Sequence, residues 1–232
     1  MVARKWFVSA AAMVAATVWA QPAAAQAECQ GLPTYAQLKA AMETAAGPGS
    51  GIVGNNRGFG LEMWGTVVNR DGVVCAVVFT GDGRGDQWPG SRVISAQKAN
   101  TANAFSLNGL ALSTANLYPL VQPGASLFGL QESNPVDTTV AYQGPSTRYG
   151  QPTDPMVGRK IGGVNVFGGG LALYRNGAVI GALGVSGDTS CADHNIAWKA
   201  RQELVLNLTP TSDNISYLPG AHPTCLGGET AP

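Results

Sequence analysis

The sequence predicts an α+β fold in which an antiparallel β-sheet of about five strands is flanked by α-helices. Two pairs of β-rich segments, each joined by a tight turn, alternate along the chain with amphipathic helix patterns. Strands joined by tight turns pair in an antiparallel manner, and amphipathic helices between them cover the faces of the sheet.

The first residues have the pattern of a secretory signal peptide. Arg4 and Lys5 precede an apolar run from Phe7 to Ala20, and small residues follow it. We expect a signal peptide at 1–27 and a single exported domain at 28–232, which is periplasmic or secreted. The alternative is an uncleaved membrane anchor.

The charge balance excludes an electrostatic partner. The chain has 14 basic and 14 acidic residues, with no basic stripe of the kind that binds nucleic acid. No segment of the mature chain is apolar for long enough to cross a membrane.

The first helix and the first hairpin follow in order. Thr34 is a candidate N-cap of a helix over 34–46, because apolar residues then recur at helical spacing. β-Branched residues flank the Asn-Arg-Asp-Gly turn at 69–72, which predicts a hairpin over 61–81.

A second helix and a long irregular segment come next. "SRVISAQKANTANAFSLNG" predicts a helix with Ser91 as its N-cap and Gly109 as its stop. The stretch 119–163 is rich in Pro, Gly, Ser and Thr. A connection of that length in a domain is often a lid, a binding loop or an oligomer contact.

The last hairpin has the strongest turn signal, Asn176-Gly177, between two β-rich segments. The final helix follows, with Ser190 as the candidate N-cap and Asp193 facing the N–H groups of its first turn.

Four cysteines in an exported chain predict two disulfides, for which three pairings exist. We favour Cys191 with Cys225, which ties the C-terminal tail to the start of the last helix. Cys29 and Cys75 then form the second pair. No CxxC motif indicates zinc or a redox dithiol.

Glycines are concentrated between residues 168 and 187. Gly168–Gly170 precede a strand rather than a helix, which argues against a phosphate-binding loop. Bare backbone in a strand instead indicates the close approach of a ligand or of another segment. We therefore expect either a flat ligand or a closely packed helix here.

Several of these segments, in this order, resemble the GlcG/HbpS family of haem-binding proteins and the C-terminal domain of PduO. They are "RDG" in a hairpin, "SAQKANTANAF", "GGVNVFGGGLALYRNGAVIGALGVSG" and "DH" at a helix start. The resemblance covers about 61–206. It implies a profilin-like antiparallel sheet flanked by helices, assembly into homo-oligomers, haem as a ligand and, for some exported members, a sensor-protein partner.

Candidate haem-binding residues lie on three segments. On the second helix they are Lys98, as a propionate partner, with Thr101 and Phe105. Hydrogen bonding to backbone is the alternative role of such a buried polar residue. Beside the glycine run, Phe167, Gly169 and Tyr174 would border a flat macrocycle, or else belong to the core.

His194 is the candidate axial ligand, and thus the metal-binding residue, because neutral imidazole commonly binds haem iron. The alternative is a surface histidine at a helix start.

The sequence thus predicts an exported protein that stores, buffers or senses haem. One alternative is an enzyme with weak haem-degrading or peroxidase-like activity in the same pocket. No GxSxG, HExxH or paired-carboxylate motif supports catalysis. Another is a ligand-free interaction protein of the same fold, whose long loop contacts a partner.

Overall fold

The computed structural model describes residues 27–47, 56–83, 85–206, 211–227 and 230–232. The predicted signal peptide lies outside these ranges except for Ala27, so it stays a prediction, as does the single domain at 28–232. Within the described ranges, no helix combines the length and apolar character that a membrane span requires.

Four antiparallel strands form one sheet with the order β2-β1-β4-β3. Strands β1 to β4 span Trp64–Asn69, Val74–Phe79, Gly170–Arg175 and Ala178–Ser186. The two hairpins lie side by side, because β1 pairs with β4 in the middle of the sheet. The predicted antiparallel α+β fold is confirmed, with four strands in the described residues rather than about five.

Both predicted hairpins form, and local chemistry explains their turns. The Asn69 side-chain oxygen accepts hydrogen bonds from the amides of Asp71 and Val73, both at 2.9 Å. Asn176 and Gly177 have φ values of 51° and 80°, as the favoured two-residue hairpin turn requires.

The helices cover both faces of the sheet. Helices α1 to α5 span Tyr35–Ala46, Ser91–Phe105, Thr114–Leu117, Thr138–Ala141 and Ser190–Glu203. On one face, α1 and α5 pack over a core that includes Leu38, Met42, Leu183 and Ile196. On the other face, α2 packs through Ala96, Ala99 and Ala102 against Val77 and Ala182.

Two of the predicted helix caps are wrong by one residue. Helix α5 is capped by Thr189, not Ser190, because the Thr189 hydroxyl accepts from the Ala192 amide. Helix α2 follows Gly90, which provides no side-chain cap. The predicted Thr34 cap of α1 is confirmed as a reciprocal capping box with Gln37.

The stretch 119–163 is irregular, as predicted, but it packs closely on the domain. Met156 and Ile161 are buried against the β2 side of the sheet. Arg92 at the start of α2 forms a buried ion pair with Asp154 of this stretch. The segment is therefore an integral part of the packed domain.

Two disulfides tie the ends of the described chain to the core. Cys29 pairs with Cys75 and Cys191 pairs with Cys225, with Cα–Cα distances of 5.6 Å and 6.1 Å. The favoured pairing is confirmed. The second bridge holds the C-terminal tail against the first turn of α5.

Candidate ligand-binding site

The glycines of the sheet face helices. A Cβ built on Gly184 would lie 1.9 Å from the Ser95 carbonyl oxygen and 2.4 Å from the Ala99 nitrogen, both in α2. A Cβ on Gly170 would lie 2.5 Å from the carbonyl oxygen of Lys98. The bare backbone therefore lets α2 approach the sheet, which favours the packing alternative over a flat ligand at this position.

Gly169 adjoins a buried ion pair. A Cβ on Gly169 would meet the Val185 carbonyl oxygen at 2.4 Å and the Lys98 Nζ at 3.2 Å. Lys98 Nζ donates to Asp193 Oδ2 at 2.6 Å and to the Val185 carbonyl at 3.1 Å. The Lys98 charge is thus neutralised inside the protein, and binding a propionate there would require breaking this pair.

Asp193 stabilises the strand-to-helix connection rather than the first turn of α5. Its Oδ1 accepts from the Asp188 amide at 3.0 Å, while its Oδ2 binds Lys98. Burial raises the pKa of Asp193 to about 6, although the Lys98 ammonium opposes the increase.

His194 is fully buried and lies beneath the C-terminal tail. Its Nε2 accepts a hydrogen bond from the Ile215 amide at 3.0 Å. Burial, reinforced by the nearby Arg201 guanidinium, lowers the pKa of His194 to about 3. The imidazole is therefore neutral, as an iron ligand must be, but Nε2 is already occupied. The surface alternative for His194 is wrong.

The remaining candidates are tied into the protein separately. Thr101 Oγ1 donates to the Gln97 carbonyl at 2.7 Å and accepts from the Asn165 amide at 3.0 Å. The buried Tyr174 donates to the Leu107 carbonyl at 2.8 Å.

Phe105 packs in a small cluster around Leu117 and Val166. Phe167 is 44% exposed, with its ring centroid 6.2 Å from that of Tyr118.

The seven candidates thus form no single pocket. Lys98, Gly169 and His194 meet where α5 begins, as the Cβ contacts of Gly168 and Gly169 show. Phe167 directly precedes Gly168 and so lies beside this region, whereas Thr101, Phe105 and Tyr174 have separate partners. Whether any of them binds haem stays a prediction.

A cavity of about 650 Å³ lies instead at the end of the sheet where β1 begins and β2 ends. Its floor is a stacked pair, Trp64 and Phe79, with ring centroids 4.6 Å apart. These two residues oppose each other in the β1–β2 register. The cavity does not include any of the seven candidates.

The other walls of the cavity come from four segments: α1, the loop before α2 through residues 81–83, 87, 89 and 90, the start of α2, and the long loop. Tyr35 of α1 donates its hydroxyl proton to the Gly150 carbonyl at 2.9 Å. The Arg92 guanidinium lies 3.6 Å from the centroid of the Tyr149 ring. The loop at 142–151 thus forms a wall of the cavity.

The charges around the cavity differ in how far they are neutralised. Arg92 is 2% exposed and is held by Asp154 and the Ala141 carbonyl. Lys39 lies at the rim, where it donates to the Phe79 carbonyl at 2.6 Å and pairs with Glu43 at 3.0 Å. Lys39 is the more accessible cation for an anionic ligand.

Two cavity-lining residues contain buried polar atoms without partners. Trp64 Nε1 and Gln87 Oε1 make no hydrogen bond with any part of the chain that the structure describes. Buried polar groups are nearly always paired with protein or ordered water. The sequence analysis did not predict this cavity. Its local indication in the sequence is the pair of aromatic residues, Trp64 at the start of β1 and Phe79 at the end of β2.

A family model, described as haem degrading protein HbpS-like, matches residues 42–202 of the chain. The chain belongs to the HbpS-like family. The resemblance inferred from the motifs is thereby confirmed, and the description of the family agrees with haem as the predicted ligand.

The sequence identity to individual relatives is low and extends over less than half of the chain. The chain is 36% identical over 104 residues to an uncharacterized 15.0 kDa protein in the dhaT-dhaS intergenic region of Citrobacter freundii. It is 30% identical over 112 residues to the corrinoid adenosyltransferase PduO of Salmonella typhimurium. These matches cover 45% and 48% of this chain, but only 51% and 25% of the two relatives.

The crystal structure of a PduOC–haem complex is similar, with a TM-score of 0.48 and 25% identity. The similarity covers 72% of this chain and 89% of that one.

The two regions differ in how well they fit haem. The region around Gly169 and His194 is filled by helices, an internal ion pair and the tail. The cavity beside Trp64 has an aromatic floor, accessible tyrosines and a rim cation. Its volume lies in the range of about 300–1,000 Å³ typical of small-molecule sites. Of the two, the cavity fits haem better.

Proposed function

We propose that this protein binds haem outside the cytoplasm, where it stores, buffers or senses it. The observation that carries the proposal is the family match over residues 42–202. The aromatic cavity of about 650 Å³ supports it, because it offers a site of suitable size and chemistry.

Export is part of the proposal and rests on two features. All four cysteines form disulfides, which persist in oxidising compartments and are rare in the cytosol. The sequence before residue 28 has the signal-peptide pattern. A periplasmic or secreted location is tested by fractionating cells that express the full chain and locating the processed protein.

Titration of the oxidised mature chain with hemin tests the central claim. We expect a shifted Soret band that saturates at a defined stoichiometry. Free hemin in the same buffer is the control for aggregation, and the reduced, unfolded chain is the control for non-specific adsorption. A band that grows linearly without saturation, or does not shift, would contradict haem binding.

Haem degradation is the second candidate function, because the family description names it. The test is to incubate the hemin complex with ascorbate and to follow the Soret band and released iron. Adding catalase distinguishes degradation on the protein from attack by free peroxide. A complex that keeps its Soret band under these conditions would leave binding as the function.

Self-association and a sensor-protein partner remain proposals. Phe128 is 65% exposed and Leu120 is 40% exposed on neighbouring turns of the long loop. Deleting this loop would remove the buried Met156 and Ile161, so a point variant is the better probe. We expect Phe128→Ser to lower the mass measured by light scattering, and an unchanged mass would remove this support for oligomer formation.

A further inference from the structure

We propose that haem binds in the cavity between the Trp64–Phe79 stack and the 142–151 loop, and that Tyr142 supplies the ligand oxygen to the iron. This inference rests on the proposed function and names its site. It moves the iron ligand from the predicted His194, which lies beside Gly168 near the start of β3, to the long loop beside β1 and β2.

The first support is the construction of the cavity. Its walls come from α1, the ends of β1 and β2, the loop between β2 and α2, the start of α2 and the long loop. The Tyr35–Gly150 hydrogen bond and the buried Arg92–Asp154 pair hold these segments together. A site enclosed by such connections is preorganised for a ligand.

The second support concerns the iron ligand. The described lining contains no histidine, cysteine or methionine, but it contains three tyrosines, and tyrosine is an established haem ligand. The hydroxyls of Tyr35 and Tyr149 are held by backbone carbonyls of the wall. Tyr142 is 60% exposed, so its side chain can turn towards the cavity without loss of core packing.

The raised pKa of Tyr35 also argues against Tyr35 as the iron ligand. Burial, with a contribution from the Glu43 carboxylate, raises the pKa of Tyr35 and so disfavours the phenolate that binds iron. Lys39, at the rim, is the candidate partner for a haem carboxylate. It is preferred to Lys98 because the Lys39–Glu43 pair is solvent-exposed, with side chains 28% and 52% exposed, whereas the Lys98–Asp193 pair is buried.

Two glycines offer a matched test of the location. Gly90 lines the cavity and Gly85 does not, and a Cβ at either position would meet nothing within 4 Å. Gly90→Phe therefore adds bulk at the cavity from a Cβ that meets no neighbour, and Gly85→Phe adds it from an equally open position outside the lining. Thermal unfolding of both variants checks that the fold is retained.

A second pair of variants tests the iron ligand. Tyr142→Phe removes only the phenolic oxygen, and His194→Ala removes the rival ligand. The spectrum of ferric haem in each complex, with its electron paramagnetic resonance signal, reports the axial ligand directly. Protoporphyrin IX, which lacks iron, separates loss of the ligand from loss of the site.

We expect Gly90→Phe to weaken hemin binding by about tenfold or more, and Gly85→Phe to leave it unchanged. We expect Tyr142→Phe to abolish the tyrosinate-to-iron charge-transfer band while protoporphyrin still binds, and His194→Ala to keep the band. Saturable hemin binding that is unaffected by Gly90→Phe and Tyr142→Phe would overturn this inference and leave the proposed function intact. Absence of binding by the wild type would overturn both.

Discussion

Replacing Gly184 with alanine tests the packing role of the glycines most directly. The added Cβ would lie 1.9 Å from the Ser95 carbonyl oxygen, whereas real Cβ atoms keep at least 3.0 Å from such atoms. Helix α2 would therefore have to move away from the sheet by about 1 Å, since backbone cannot give way as a flexible side chain does.

Such a shift would loosen the contacts of Ala96, Ala99 and Ala102 with the sheet. Overpacking of a core lowers the free energy of unfolding by about 1–3 kcal/mol and occasionally more. We expect a value near the upper end of this range, because the added Cβ clashes with backbone atoms. For a domain of this size, a loss of about 3 kcal/mol corresponds to a decrease in Tm of about 6–12 °C.

The assay is thermal and urea unfolding, followed by circular dichroism, of wild type, Gly184→Ala and Gly85→Ala. The control position has open space around its Cβ, so we expect no loss of stability there. If Gly184→Ala unfolded within about 0.5 kcal/mol of wild type, the packing argument would fail. If it bound hemin less tightly at unchanged stability, the glycines would instead belong to a ligand site.

Three further predictions concern buried groups and the tail. Because the folded-state pKa of His194, about 3, lies below its unfolded value of 6.5, the unfolded chain takes up the proton first as the pH falls. His194 should therefore reduce the free energy of unfolding by about 2 kcal/mol at pH 5 relative to pH 8, measured as the difference in pH dependence between wild type and His194→Gln. Asp154→Asn should lower stability by about 3 kcal/mol in urea unfolding, because it leaves the Arg92 charge buried without its partner. Replacing Cys191 and Cys225 together by serine should cost about 3–4 kcal/mol in the same assay, since the bridge closes a loop with a sequence separation of 34.

Two of these predictions have a control variant within the chain, and each has an outcome that would contradict it. His222 is also buried with a lowered pKa, so His222→Gln shows how much of the acid dependence belongs to the other histidine. An identical pH dependence in wild type and His194→Gln would contradict the burial argument. Arg92→Met combined with Asp154→Asn should recover part of the stability lost in Asp154→Asn alone, because no unpaired charge then remains and the amide oxygen of asparagine can still accept from a backbone amide that Asp154 binds. If removal of the Cys191–Cys225 disulfide left the free energy of unfolding unchanged, the other contacts of the tail would be sufficient to hold it.

The sequence by itself determined the elements whose causes are local. The turn at Asn176-Gly177 follows from the ability of these residues to adopt positive φ, and α1 follows from its capping box and apolar spacing. The order of these elements was sufficient to infer an antiparallel sheet flanked by helices, and the resemblance of four sequence motifs indicated the family. The pairing of Cys191 with Cys225 followed from the position of the tail relative to α5.

Only the tertiary structure determined which segment packs against the glycines of the sheet and where a cavity for a ligand lies. The same glycine pattern is compatible with a ligand or a helix, and only the position of α2 over Gly184 distinguishes them. His194 stands at a helix start that is exposed in isolation and becomes buried because the tail folds over it. Tyr35 and Gly150 meet at the cavity although 115 residues separate them. Backbone preferences and side-chain periodicity act over a few residues, whereas a cavity is the space that distant segments leave unfilled, so no short stretch of sequence encodes it.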